Sequence, residues 1–313
     1  MKERFGFSPG GGSFTLLNRP TKILPSLLLL TWTCSVHAQD RVATARAQIE
    51  ALIARSGAEV AMVWRPLDAK PGEEIVINPT LRFHAASTMK VPIMIELYRQ
   101  RDAGALKLDD PMTVTNTFHS IVDGSEYTLS ASEDSDGEVY KHIGKPLALS
   151  ALCEAAITVS SNLAANNLIE RLGAAKIQKT VDALGASGMQ VKRGVEDLKA
   201  FDKGENNTTD AAGLATLFAK IARGEAAAPA ATSEMIATLK RQKFNAGIPS
   251  KLPTGIEVAH KTGTVTRVHH DAGVVYASRP YVLVVLTRGL ETEAMSDALI
   301  AEISRIAFEI IPR

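Results

Sequence analysis

The sequence predicts an α/β protein of the α+β kind, an antiparallel sheet flanked by helices with an all-helical domain inserted into it. Three observations carry this: a helix-then-strand pattern opens the mature chain, three strands and a helix close it, and the stretch between is helical in character. From 40 to 56, Val42, Ala45, Ile49, Leu52 and Ile53 recur at the spacing of an amphipathic helix. A strand follows at 59–64 and a second at 74–78. Near the other end, 257–262, 272–277 and 281–287 read as antiparallel strands joined by short turns, and a final helix runs from about 293 to 310. Residues 149–172 and 210–222 are the clearest helical stretches between, and 117–140, rich in Ser, Asp, Glu and Gly, reads as a polar loop or hairpin. Residues 39–86 and 230–313 are therefore expected to form one discontinuous sheet-and-helix domain around a helical domain at 87–229. A small-molecule site belongs at the seam.

Composition narrows the partners. The 313 residues are 45% hydrophobic and 22% charged, enough to bury a full core. With 35 Lys+Arg against 34 Asp+Glu, the net charge of +1 leaves no basic surplus for nucleic acid or an anionic membrane. A monomer acting on a small molecule, with no cofactor, is the expectation.

The first residues read as an export signal. Lys2, Arg4, Arg19 and Lys22 precede the apolar run from Ile23 to Trp32, and Val36-His37-Ala38 supplies a cleavage site, so residues 1–38 are set apart from the fold. The run is too short to span a bilayer comfortably. The basic region is long for such a leader, which places the natural start downstream of Met1. Export makes the mature protein secreted or periplasmic. Thr31-Trp32-Thr33 before Cys34 is a poor match for a lipid-attachment signal, and Cys153, among Leu152, Ala155, Ala156 and Ile157, reads as a buried inert thiol.

Three segments carry chemistry. Ser87-Thr88-Met89-Lys90 opens the apolar stretch 91–98, and a Ser and a Lys three apart on a helix share a face, so the amine reaches the hydroxyl. Pro92 fits if it lies in the first turn. The helix N-terminus favours an oxyanion at Ser87, and burial lowers the pKa of Lys90 towards that of a base. The plainer alternative is a helix cap and an exposed charge. Ser160-Ser161-Asn162 interrupts an apolar helical stretch, which favours a turn presenting Ser160 and Asn162 to a cavity over a simple cap between two helices. Lys261-Thr262-Gly263-Thr264 lies on the first late strand. An edge lysine is ordinarily solvated, yet Gly263 admits close approach of a ligand, the Thr264 N–H suits an oxyanion, and Lys261 with Thr262 suits a carboxylate.

SxxK, SxN and KTG each occur once, and in that order. Together with Phe83 to Pro92, Ala156 to Asn166 and His260 to Gly263, they resemble the penicillin-recognising serine enzymes and class A β-lactamases in particular, over residues 40–313. The resemblance implies a β-lactam substrate acylating Ser87, with Lys90 and Ser160 moving protons and Asn162 binding the amide side chain. Lys261, Thr262 and Thr264 would hold the carboxylate, and the Ser87 and Thr264 N–H groups the oxyanion. The family's deacylating loop reads ExxxN. Here Glu196 is the best-placed carboxylate before Asn207-Thr208-Thr209, position 200 is Ala, and the loop is short. Ser161 replaces the usual Asp, which implies a changed hydrogen-bond network. A peptidase or penicillin-binding protein, a small-ester hydrolase, and a non-hydrolysing penicillin sensor are the alternatives. His269-His270-Asp271 does not suit a metal, because adjacent strand residues face opposite ways, and a solvated hairpin is expected there. Arg267 is either a second carboxylate contact or an exposed turn residue.

Overall fold

The computed structural model describes residues 26–312 and, before them, Gly6. Helix α1 (Ser26–Ser56) has a helical backbone across the predicted cleavage point; the remainder of the proposed leader lies outside the described residues. Contacts group Ala38–Arg313 into one compact unit and the residues up to His37 into another. Among the described residues no helix is long and apolar enough to cross a membrane.

After α1 come β1 (Glu59–Pro66), β2 (Ile75–Ile77) and β3 (Phe83–His84), then a 3-10 turn at Ala86–Met89 and α2 (Lys90–Asp102). Short strands β4 (Pro111–Thr113), β5 (Phe118–His119), β6 (Glu126–Tyr127) and β7 (Pro146–Ala148) precede α3 (Leu149–Thr158), α4 (Asn162–Leu172) and α5 (Ala174–Ala183). Then follow α6 (Leu198–Asp202), β8 (Thr208–Thr209), α7 (Ala211–Ala222), α8 (Pro229–Lys240), β9 (Glu257–Val265), β10 (Val268–Tyr276), β11 (Tyr281–Arg288) and α9 (Glu293–Glu309).

Both ends of the chain build one antiparallel sheet in the order β2-β1-β11-β10-β9. Alternation along β1 divides the core. Val60, Met62 and Trp64 join Val42 and Ile49 of α1 and Leu299, Ile300 and Ile303 of α9 on one face. Ala61 and Val63 join α2, α3, α4 and α7 on the other. Central β11 is covered on both sides, which is why Tyr281 to Leu286 is apolar without a break. Cys153 is buried in the helical core, where burial pushes its thiol up to about 12 and leaves it inert.

Two expectations are corrected. The second late strand starts at Val268, not 272: Thr266 and Arg267 form the turn, so His269, His270 and Asp271 lie inside β10. All three are buried, not a solvated hairpin, because α9 covers one face of β10 and the segment before Ser87 the other. The turn expected around Ser160 is present: the stretch 149–172 divides into α3 and α4 at Val159–Ser161, where Ser160 takes φ 59°.

Candidate active site

Ser87 sits in the 3-10 turn, and Lys90 begins α2, buried and fully enclosed. Lys90 Nζ lies 2.9 Å from Ser87 Oγ, 2.6 Å from the Ser160 carbonyl oxygen and 2.7 Å from Asn162 Oδ1. The last two atoms only accept, so they fix two N–H bonds of the amine. A neutral Lys90 then turns its lone pair to the Ser87 hydroxyl. Burial lowers its pKa to about 7, although the charges of Asp134 and Glu196 work the other way.

The Ser160–Asn162 turn comes to Lys90 because α4 is held at its first turn. The Asp134 carboxylate accepts from the Asn162 N–H at 2.9 Å and the Leu163 N–H at 3.0 Å, and Ser161 Oγ accepts from the Ala164 N–H. Both acceptors satisfy donors left open at a helix start. Ser161 is thus the N-cap of α4. Asp134 comes from the polar 117–140 segment, which does form a hairpin, β5 with β6, before the turn that carries it.

Lys261 is buried, so the solvated-edge reading is overturned. Its Nζ donates to Ser160 Oγ at 3.0 Å and to the Thr262 carbonyl, while Lys90 Nζ stands 3.3 Å from the same Ser160 Oγ. Burial first, and the charge of Lys90 second, push Lys261 well below an ordinary lysine. Gly263 lies against the turn that carries Ser87: an added Cβ would meet the Ser87 nitrogen at 3.0 Å and the Thr88 nitrogen at 3.1 Å. Those atoms are backbone and cannot swing aside. Gly263→Ala is therefore expected to cost about 1–3 kcal/mol and to lower the acylation rate, read by thermal melting and by nitrocefin turnover. Parent-like values for both would show that the two segments can part.

Glu196 accepts at Oε1 from the Asn162 amide at 2.7 Å, so Asn162 bridges Lys90 and Glu196. Burial, reinforced by the Asp134 charge, holds Glu196 above the usual carboxylate range against the effect of that hydrogen bond. Its loop is tied at both ends. Asn207 accepts from the Lys192 and Arg193 N–H groups and donates to the Arg193 carbonyl, and the Ala85 N–H donates to the Asn207 carbonyl. Asn166, one turn beyond Asn162 on α4, accepts from the Val195 N–H at 2.7 Å and donates to the Val195 carbonyl. Ala200 offers no amide; its N–H bonds Asp197, whose carboxylate also takes the Ser120 hydroxyl and the Ile121 N–H.

Ser87, Ser160, Asn162, Thr262, Gly263 and Thr264 line one cleft of about 320 Å³. A second cavity of about 210 Å³, more apolar, lies beside Glu196 with His84, Leu198, Phe201 and Val265. Thr264 borders both, but its hydroxyl is engaged by His269 Nδ1 at 2.8 Å. Arg267 donates to the Gly289 carbonyl, an ordinary turn arginine. His269 faces α9 and His270 donates from Nε2 to the His84 carbonyl, so the two rings do point apart. His269, Glu293 and Asp297 each offer one potential ligand atom within 4.8 Å of the others, an arrangement that the His269–Asp297 hydrogen bond and the 3.6 Å His269–Glu293 ion pair already explain.

Residues 44–311 match the family model described as the β-lactamase enzyme family. The chain belongs to that family. Its fold is that of the class A enzymes: an ancestral class A β-lactamase (GNCA) superposes with TM-score 0.74 at 27% identity, covering 85% of this chain and all of that one. The structure of PBP-A superposes with TM-score 0.73 at 27% identity over 85% and 95% of the two chains. A β-lactamase of Streptomyces albus G is 30% identical over 203 residues, which span 59% of this family member and 63% of the relative.

Sequence reasoning singled out the residues of the three motifs and Glu196, and they stand together. It missed Asp134, Asn166 and His269. Asn166 left a signal, an amide one helical turn after Asn162 on the same face; Asp134 left none, since nothing local ties a loop carboxylate to a helix start 28 residues on.

Proposed function

We propose that this β-lactamase opens the β-lactam amide through an acyl-enzyme on Ser87, which a water activated by Glu196 then hydrolyses. The reading is carried by Lys90: a buried amine whose two other acceptors are fixed, 2.9 Å from the Ser87 hydroxyl. Lys90 takes the Ser87 proton as Oγ attacks the carbonyl carbon, and Ser160, between Lys90 and Lys261, delivers a proton to the departing lactam nitrogen. The Ser87 and Thr264 N–H groups receive the oxyanion. Lys261, Thr262 and Thr264 hold the substrate carboxylate, whose charge adds to that of Asp271 in favouring a protonated Lys261. Asn162 binds the acyl side-chain amide and, through its bridge, keeps Glu196 in place. The cleft lies where the sheet domain at 39–86 and 230–313 meets the helical domain at 87–229. Residues 1–38 act as the leader of a secreted or periplasmic monomer.

A second reading, a penicillin-binding protein that acylates and stalls, draws on the likeness to PBP-A and on Ala200, where the family carries a water-orienting Asn. Nitrocefin kinetics separate them: sustained turnover supports the lactamase, and one stoichiometric burst the binding protein. Acylation is further expected to fall as pH drops through about 7, because Lys90 must be neutral to accept a proton. A single-turnover acylation rate that stays flat between about pH 5.5 and 8.5 removes Lys90 as the base.

A further inference from the structure

Thr264, placed above at the substrate carboxylate, has a hydroxyl whose direction another residue decides. His269 Nε2 lies 2.8 Å from Asp297 Oδ1 and its Nδ1 2.8 Å from Thr264 Oγ1. A carboxylate only accepts, so Nε2 carries a proton in both charge states. When the ring is neutral, Nδ1 is an acceptor and the Thr264 hydroxyl donates to it. When the ring is charged, Nδ1–H donates to Thr264 Oγ1, and the hydroxyl proton is released to another acceptor. Within the protein that acceptor is the exposed Glu293 carboxylate, 3.4 Å away; in the cleft beside Ser87 it is a bound anion.

The geometry points to the Asp297–His269 pair as a positioning device for substrate binding: a charged ring turns the Thr264 O–H towards the substrate carboxylate, and a neutral ring withdraws it. This rests on the reading of Lys261, Thr262 and Thr264 as the carboxylate site. Among the described residues, His269 meets Thr264 from β9, Thr287 from β11, whose hydroxyl donates to the His269 carbonyl, and Glu293 and Asp297 from α9; His270 and Asp271 follow it on the same strand, and Arg267 and Glu291 line the cavity it borders. Burial opposes a charge on the ring, but Asp297, then Glu293 and Asp271, outweigh it and hold His269 above the usual histidine range. The device thus favours carboxylate binding at low pH and releases it as pH rises through that raised value.

The test compares KM for benzylpenicillin with KM for its methyl ester across pH, which cancels titration of Lys90 and Glu196 because both substrates need them. The preference for the acid is expected to weaken roughly tenfold as His269 loses its charge, the size of one hydrogen bond to a charged group. His269→Asn, which keeps a donor near the Nδ1 position and cannot titrate, should remove the step in the preference that His269 causes and leave only the dependence contributed by Lys261, which also faces the substrate carboxylate. Asp297→Asn should move the midpoint to lower pH, and it serves if the histidine variant does not fold. A role in packing alone would instead lower kcat and melting temperature while leaving the pH profile of the preference unmoved. A preference for the acid that is flat in pH in the parent overturns the device and leaves the carboxylate site standing. Equal KM for acid and ester at every pH, in the parent and in Thr264→Ala, overturns both.

Discussion

Replacing Ser87 with alanine is expected to abolish covalent labelling by benzylpenicillin and to cut β-lactam turnover by roughly 10⁴-fold or more. The side chain is half-buried and, among the described residues, is bonded by Lys90 alone, so its loss should disturb stability by no more than about 1 kcal/mol. Lys90 keeps its Ser160 and Asn162 acceptors, and the site keeps its shape. Mass spectrometry after a rapid acid quench gives the answer: the parent carries a transient adduct of the drug's mass, the variant nothing, with melting temperatures alike. An adduct on the variant, or hydrolysis near the parent rate, would place the nucleophile elsewhere.

Glu196→Gln is the complementary case. Glutamine retains the oxygen that the Asn162 amide bonds, so acylation should proceed and the drug adduct should accumulate and persist. A general base contributes about 10²–10⁴-fold, and steady-state turnover should fall by that range. In the parent, hydrolysis of an adduct formed beforehand at neutral pH should slow as the pH is then dropped. Burial raises the Glu196 pKa, so its carboxylate is protonated, and its base function lost, at a higher pH than an ordinary glutamate's. If the glutamine variant turns over like the parent, water is activated by another group. If the parent itself retains the adduct indefinitely, the chain is a binding protein on this scaffold, with Ala200 the evident reason.

The parts of this molecule that could be read from residues alone are those where local pattern and final environment agree. The helix from 40 to 56 and the strand at 59–64 have the correct period because each packs one stripe or both faces on a single sheet. The three motifs were legible because Ser, Lys, Asn and Gly at those spacings have few other uses in apolar surroundings. The failures share a cause. His269, His270 and Asp271 look like a solvated turn, yet long-range partners at Asp297, His84 and the Ile248 N–H make their burial tolerable. What covers a strand is decided by segments far away in the chain, and no window of neighbours contains that information.

Among the described residues, five other than glycine adopt positive φ, and three of them, Ala86, Ser160 and Glu196, either flank Ser87 or supply the groups proposed to act on it. Glycine would relax each of these backbones, and at Ser160 and Glu196 it would also delete the working group. The molecule is thus less comfortable where it reacts than a sequence chosen for heat resistance alone would make it. Its activity and its endurance draw on the same few torsion angles, and gains in endurance have to be sought elsewhere in the chain.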